Sequence, residues 1–514
     1  MNGNFSYQKR KKMISDALNS SIVSLVTGYK IGAFNQNVTS NLPMRIAVLG
    51  EANLENQDDL VLTGQEVTTV KEAGILFGFG SPLYHVARIL LPRVSGIPVV
   101  FYPQETNVED ATQKVLNVAI SGTVTANATH TLRIAGRTNV DGQFYNFTVN
   151  VGDTISDIIG KIQDCVSNVL GSPVAVENDS PSAVFLTKWA GETANQLTID
   201  VLTNGNDAGL TYAVTSPQDG AGVTDIATAL ENFGNEWNTL VVNCYGESGS
   251  YLGALEIFNG QPDATTPTGR YTATLFKPLL ALFGTTSNDP TSVTDGRKTQ
   301  CTNVACVAPN SKGWNFEAAA NVCSLLAVQA QNKPHLDVAL MSYPDMPIPA
   351  DGNIGDMAIF DNRNAFVLKG CSTVDLVNGV YQICDLVTTY HPDGELNPLF
   401  RYVRQLIIDW NIYFNVNYID KAFIQGNVIL ADSAFSGVDN VVKPKDVKQL
   451  FVNLFNDLES KALITDAAFS IESLLVGINE TNPDRFDIQF KYKTSSFGRV
   501  VSTTAMAGFN LGSN

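Results

Sequence analysis

The feature that most constrains the fold is an interruption. From about residue 116 to 220 the charges thin out and Thr, Asn, Val and Gly accumulate. On both sides of that stretch, buried-type apolar runs alternate with helical ones. Strands alternating with helices imply a parallel-type sheet. The reading is a multidomain α/β (α+β) chain: residues 31–115 and 221–383 form one discontinuous α/β core, and 116–220 a compact β-rich domain inserted in a surface loop of it.

Within the core, Met44–Gly50 reads as a buried strand. Thr69-Val-Lys-Glu72 is a capping box opening a helix toward Leu76 and Phe77. Gly78-Phe-Gly80-Ser-Pro82 breaks that helix, Leu83–Leu91 forms the next, and Ile97–Tyr102 is a second strand. In the insertion, Val118–Thr125, Thr129–Ala135, Phe144–Val151, Ala183–Thr187, Gln196–Val201 and Leu210–Thr215 read as strands. Asp153–Val169 is a helix, because Ile155, Ile158, Ile159, Ile162, Val166 and Val169 recur at helical spacing. The α/β pattern returns with a helix over Asp225–Phe233, strands over Thr239–Tyr245 and Thr302–Val307, and a helix over Asn315–Gln331 whose last turn is less buried because Gln329 interrupts its apolar face.

Residues 384–483 read as a helix-plus-strand domain. Phe400, Val403, Leu406, Ile407, Trp410 and Phe414 make one helical stripe. Val447, Leu450, Phe451, Leu454, Phe455 and Leu458 make another at i, i+3, i+4, i+7, i+8 and i+11. Residues 484–514 read as a strand and linking arm: Phe486, Ile488, Phe490 and Tyr492 interleave with Asp487, Gln489, Lys491 and Lys493, the period of a half-buried strand, and Val500–Phe509 is a further extended piece. At the other end, residues 1–30 are a polar arm whose apolar content centres on Ile22, Val23, Leu25 and Val26. Such an arm docks on something else, because it cannot bury itself.

Composition excludes several function classes. Of 514 residues, 44% are hydrophobic and 16% charged, too apolar for a disordered chain. Lys and Arg number 33 against 50 Asp and Glu, a net charge of −17. That excess repels phosphate backbones and anionic lipid, so no direct nucleic-acid partner is expected. The basic N-terminus lacks the apolar region of a secretory signal, and no run reaches the ~20 apolar residues of a membrane span, so no stable membrane insertion is expected. Seven scattered cysteines with no CxxC pair read as reduced thiols.

The chemistry is thin. The four histidines, His85, His130, His335 and His391, show no metal-helix spacing. Gly246-Glu-Ser-Gly-Ser250 resembles a nucleophile elbow around Ser248, but Ser250 stands where the second glycine belongs. Gly78-Phe-Gly80 lacks the rest of a phosphate-cradling motif. Asp351, Asp356 and Asp361, like Asp432 and Asp439, fit no EF-hand spacing. No catalytic residue, cofactor or metal is assigned, which moves weight toward a structural role.

Six segments, in order, resemble the tail sheath family of Mu-like phages. They are Ser40–Gly50; Ala73-Gly-Ile-Leu-Phe-Gly-Phe-Gly-Ser-Pro82; Gly152-Asp-Thr154 with the Ile-rich helix; Val184–Glu192 with Asn195 and Gly209–Thr215; Trp237–Val242; and Asp385-Leu-Val-Thr-Thr-Tyr390. The sequence departs from the pattern at His391-Pro-Asp-Gly394 and in the long tail after Tyr492. The resemblance implies a non-enzymatic subunit that stacks as six-fold rings around a tail tube and contracts on a baseplate trigger to drive the tube through the host envelope. Its expected partners are further copies of itself, the tail tube protein, and baseplate and tail terminator proteins. Its expected location is the virion, after assembly in the host cytoplasm. The family's terminal extensions add strands to neighbouring subunits, which implies an inter-subunit linking role for Phe486, Ile488, Phe490, Tyr492, Ile22 and Val23. Alternatives are the sheath of a phage-derived particle (a tailocin), an α/β hydrolase-like enzyme using Ser248, and a surface adhesin, for which the export signal is missing.

Overall fold

A computed structural model describes residues 39–106, 110–222, 224–262, 266–395 and 398–507. The chain enters through β1 (Ile46–Glu51), a short β2 (Gln65–Glu66), α1 (Val70–Phe77), α2 (Pro82–Leu90) and β3 (Val99–Gln104). Thr69 caps α1, its Oγ1 accepting from the Glu72 amide at 3.2 Å. The return bond goes one residue further back than the capping box expects, since the Glu72 carboxylate accepts from the Thr68 amide at 3.1 Å. Gly80 turns the chain from α1 into α2 with φ +91°, and a Cβ there would stand 2.0 Å from the Ser172 carbonyl oxygen. The glycine is thus required by close backbone packing.

The charge-poor segment comes next: β4 (Gln113–Gly122), β5 (Ala128–Ile134), β6 (Asn146–Val149), α3 (Ile155–Ser167), β7 (Val174–Asp179), β8 (Ser182–Ala190), β9 (Ile199–Leu202) and β10 (Leu210–Gln218). β10, β4, β8 and β7 make one antiparallel sheet in that order, and β9, β5 and β6 another. Helix α3 opens on a reciprocal box: Thr154 Oγ1 accepts from the Asp157 amide and Asp157 Oδ2 from the Thr154 amide. Ile158, Ile159, Ile162, Cys165 and Val166 turn inward.

After it stand α4 (Ala227–Asn232), β11 (Leu240–Asn243), α5 (Gly249–Asn259), β12 (Leu280–Thr285), β13 (Asn303–Val307) and α6 (Asn315–Asn332). Strands from both sides of the charge-poor segment join in one sheet, ordered β13-β12-β11-β1-β3-β2, parallel except for β2 at its edge. Every residue of its five parallel strands is buried, as expected of a parallel sheet covered on both faces. On one face Ile46, Val48, Leu240, Val242 and Leu282 pack with α2, α6 and the β-rich segment. On the other, Ala47, Leu49, Val241 and Ala281 pack against Leu230 and Phe233 around α4 and Tyr251 and Leu255 of α5.

The β-rich segment shares its core with the sheet. Trp189 meets Trp314 edge-on at 5.1 Å between ring centroids. Arg137, from the segment, donates to Asp345 at 2.6 Å and pairs with Glu317 of α6 at 3.1 Å, while Arg88 of α2 reaches Asp345 at 2.8 Å. Glu317 is wholly buried, which pushes its carboxyl up, while the Arg137 and Arg88 guanidinium groups act against that shift.

The remaining chain holds α7 (Phe360–Leu368), a hairpin of β14 (Thr373–Val377) and β15 (Val380–Asp385), α8 (Val403–Ile419), α9 (Pro444–Ser460), α10 (Ala467–Ser473) and a second hairpin of β16 (Leu475–Ile478) and β17 (Phe486–Gln489). Val447, Phe451, Leu454, Phe455 and Leu458 of α9 bury the stripe that their spacing predicts. Together with Ile408 and Ile412 of α8 they form a cluster separate from the main core. Residues 500–507 pair with no other strand among the described residues, and Val500 and Val501 are 89% and 86% exposed.

Candidate assembly surface

The C-terminal cluster leaves its sheet unfinished. β16 and β17 pair antiparallel, with Val476 opposite Ile488 and Ile478 opposite Phe486. Among the described residues no third strand joins them. A lone two-stranded hairpin is marginal in water and needs a further strand or a helix to cover one face. Here Phe486, Ile488 and Val476 lie against the α8–α9 cluster but stay only partly buried, and Leu475 on the outer face is 64% exposed. Among the described residues, both outer edges present backbone N–H and C=O groups without ladder partners, the arrangement onto which an extended segment can add.

Beside the hairpin runs an open groove of about 1180 Å³, lined by Val416, Ile424, Ile429, Phe451, Val476 and Ile488 among others. Ile429, on the groove wall, belongs to a two-residue parallel pairing of Val428–Ile429 with Val441–Val442. Sequence reading missed that wall; the signal was faint, a short apolar run after Gly426.

The residues singled out from sequence fall into four groups. Phe486 and Ile488 line the groove from β17. Phe490, past the end of β17, turns inward, with ring centroids 5.7 and 5.1 Å from those of Phe451 and Phe455. Tyr492 donates from its hydroxyl to Asp409 Oδ1 at 3.0 Å, and burial pushes that carboxyl up to about 7. Ile22 and Val23 lie outside the described residues.

The crevice where open α/β sheets take ligands, at the carboxyl ends of strands beside the switch in strand order, falls between β1 and β11. The β-rich segment fills it. Glu51, at the end of β1, is buried and accepts from Thr193 Oγ1, which in turn accepts from Trp189 Nε1 at 2.9 Å. Gly191 packs so closely that a Cβ would stand 2.5 Å from Glu51 Oε1. Burial pushes the Glu51 carboxyl up to about 8, so it is neutral near pH 7. Tyr245 and Gln104 close the pocket with a hydrogen bond of 2.8 Å.

Ser248 stands just before α5 with φ −58° and makes no side-chain capping bond; its hydroxyl meets Ser250 Oγ at 3.2 Å. That is neither the strained turn nor the base a nucleophile elbow uses. His85 sits 3.9 Å from the Glu317 carboxylate inside the core, His130 bridges Tyr212 and the Asn206 carbonyl, and His391 reaches Asp295 at 3.2 Å. Among the described residues no group of three His, Cys, Asp or Glu side chains could hold a metal ion. The chemistry available at the exposed face is that of backbone pairing and apolar burial.

No family model matches the chain. A tail sheath protein of the Mu-like prophage FluMu from Haemophilus influenzae is 23% identical over 432 residues, covering 82% of this chain and 84% of its own. Among solved structures, a sheath tail protein from Desulfitobacterium hafniense overlaps with a TM-score of 0.46 at 10% identity, covering 92% of this chain and all of its own. A chain of the anti-feeding prophage baseplate overlaps at 0.45 and 10% identity, covering 95% of this chain and all of its own. Those overlaps are loose, and the sequence match is what bears on ancestry. The resemblance to the tail sheath proteins of Mu-like phages, carried in the sequence by six ordered segments, is borne out by a homologue of that kind matching over four fifths of the chain.

Proposed function

We propose that the chain is the structural subunit of a contractile tail sheath. The observation that carries this reading is the match to a prophage tail sheath protein along 82% of the chain. Copies stack as six-fold rings around a tail tube, between baseplate and terminator proteins, and shorten together to drive the tube through a host envelope. The particle is a virion tail assembled in the host cytoplasm, and the stored energy is conformational. In this reading residues 31–115 with 221–383 act as the rigid body, 116–220 as a domain inserted in it, 384–483 as the coupling domain, and 1–30 and 484–514 as linking arms.

The unfinished hairpin supports the linking role. A strand from a neighbour added to β16 or β17 would satisfy open backbone groups and cover the apolar wall of Val476, Phe486 and Ile488. Head-to-tail contacts of that kind do not close on themselves and generate stacks. A chain with net charge −17 must overcome self-repulsion to polymerise, and backbone pairing is insensitive to that charge. The test is negative-stain electron microscopy of the purified protein mixed with its tail tube. Striated tubes or six-fold rings are expected, and their loss when residues 484–514 are removed. Dispersed particles beside bare tubes would overturn the reading.

A further inference from the structure

Beyond Gln489 the described residues form no further strand, yet the chain stays fastened for ten residues. Lys493 reaches Asp466 at 2.8 Å and lies 4.1 Å from the ring centroid of Phe469. Thr494 bridges to Ile464, and the Ser495 amide donates to the Leu463 carbonyl at 3.0 Å. Arg404 of α8 donates to both the carbonyl and the hydroxyl of Ser495, each at 2.6 Å. These contacts hold the segment on its own helical unit.

The last fastening is of another kind. Arg499 donates to Asp337 and, at 3.0 Å, to Asp385. Its guanidinium lies 4.0 Å from the ring centroid of Tyr402. Asp337 belongs to the turn after α6 of the parallel-sheet body, Asp385 ends β15, and Tyr402 precedes α8. One side chain therefore ties the tail to three separate parts of the fold. The Arg499 side chain is 16% exposed and that of Asp337 3%, so salt screens the pair little. Contact ends there: residues 500–507 are exposed, with Met506 at 96%. Arg499 is also the last charged residue of the sequence, and the next five, Val500-Val-Ser-Thr-Thr504, are neutral and mostly β-branched, a composition suited to extended pairing.

We propose that Arg499 is a latch that holds the C-terminal segment on its own subunit, across the junction of the parallel-sheet body and the C-terminal unit, and that its release frees the segment for a second copy of this chain. Residues 493–499 cannot both keep these contacts and pair along a neighbour, so through that stretch the fastening competes with assembly. That second step rests on the sheath reading; the latch itself does not.

The test is hydrogen–deuterium exchange of the full-length unassembled chain, comparing wild type, Arg499→Ala, and Asp337→Asn/Arg499→Ala, the last removing both charges of the most buried pair. Exchange in peptides spanning residues 493–499 should rise at least tenfold in both variants, with strands 240–243 and 280–285 unchanged. Unchanged protection over 493–499, or an equal rise in those strands, would overturn the latch. In the same preparations the double variant should polymerise on tail tubes several-fold faster than wild type. A freed tail with no gain in rate, where wild type does polymerise, would overturn the regulatory step alone. Failure of wild type to polymerise would instead sink the sheath reading and leave the exchange result to decide the latch.

Discussion

The six-stranded, mostly parallel sheet and the C-terminal hairpin are built from similar apolar residues but solve the backbone problem differently. In the sheet every residue of β1, β3, β11, β12 and β13 is buried, and helices cover both faces. In the hairpin β17 alternates half-buried and exposed residues, one face looks into an open groove, and among the described residues no strand pairs with either outer edge. The first region is complete within one chain. The second is stable enough to fold on α8 and α9 and is still short of a strand. What a subunit withholds from its own core is what it has left for a neighbour.

The largest effect on this contrast is expected from Phe283→Ala, in the middle of β12, where the ring is fully buried. Its removal should cost about 3–5 kcal/mol in denaturant unfolding, with assembly lost only as folding is lost. Next is the junction at Glu51. Its folded-state carboxyl, raised to about 8, binds a proton that the unfolded chain releases above about 4.5. The groups facing it are acids, namely Glu192, Cys244, Tyr245 and Tyr251. Stability from this group is therefore full below pH 4.5 and is lost as pH rises toward 8, by on the order of a few kcal/mol. Thermal unfolding of Glu51→Gln across that window should show a flatter pH slope than wild type; an identical slope would mean that Glu51 does not set the pH dependence. Ile488→Ala probes the hairpin side. Being half-buried, it should cost only about 1 kcal/mol in the isolated chain, while weakening polymerisation by more than its effect on folding. Smallest is Thr154→Ala, which removes both the side-chain acceptor and its partner's anchor at the start of α3. It should lower stability by about 1 kcal/mol and leave assembly unchanged.

Legibility in the sequence tracked how local the cause was. The α9 stripe and the Ile-rich α3 were readable because their burial depends on spacing alone. Strand β12 was not anticipated: Leu279–Phe283 is a continuous apolar run, and periodicity cannot separate a short buried strand from a helix. β7 was missed because only Val174 and Val176 point inward before Glu177, Asn178 and Asp179 run into solvent. α5 was not anticipated, since its first turn carries no apolar residue before Tyr251. The glycines of Gly78-Phe-Gly80 were recognised as a turn, but the need for Gly80 lies at Ser172, about ninety residues away beside a different sheet. At the candidate site β17 was plain from its alternation. Its partner β16, the groove wall at Ile429 and the inward turn of Phe490 depend on tertiary packing that no local pattern encodes.

Completion of the hairpin by a neighbour is tested most directly by hydrogen–deuterium exchange of residues 475–489 in the unassembled chain and in assembled particles. Amides on the outer edges of β16 and β17 should become strongly protected on assembly, while those of 240–243 and 280–285, already buried, should not change. Equal exchange over 475–489 in both states would contradict a neighbour's strand at this edge.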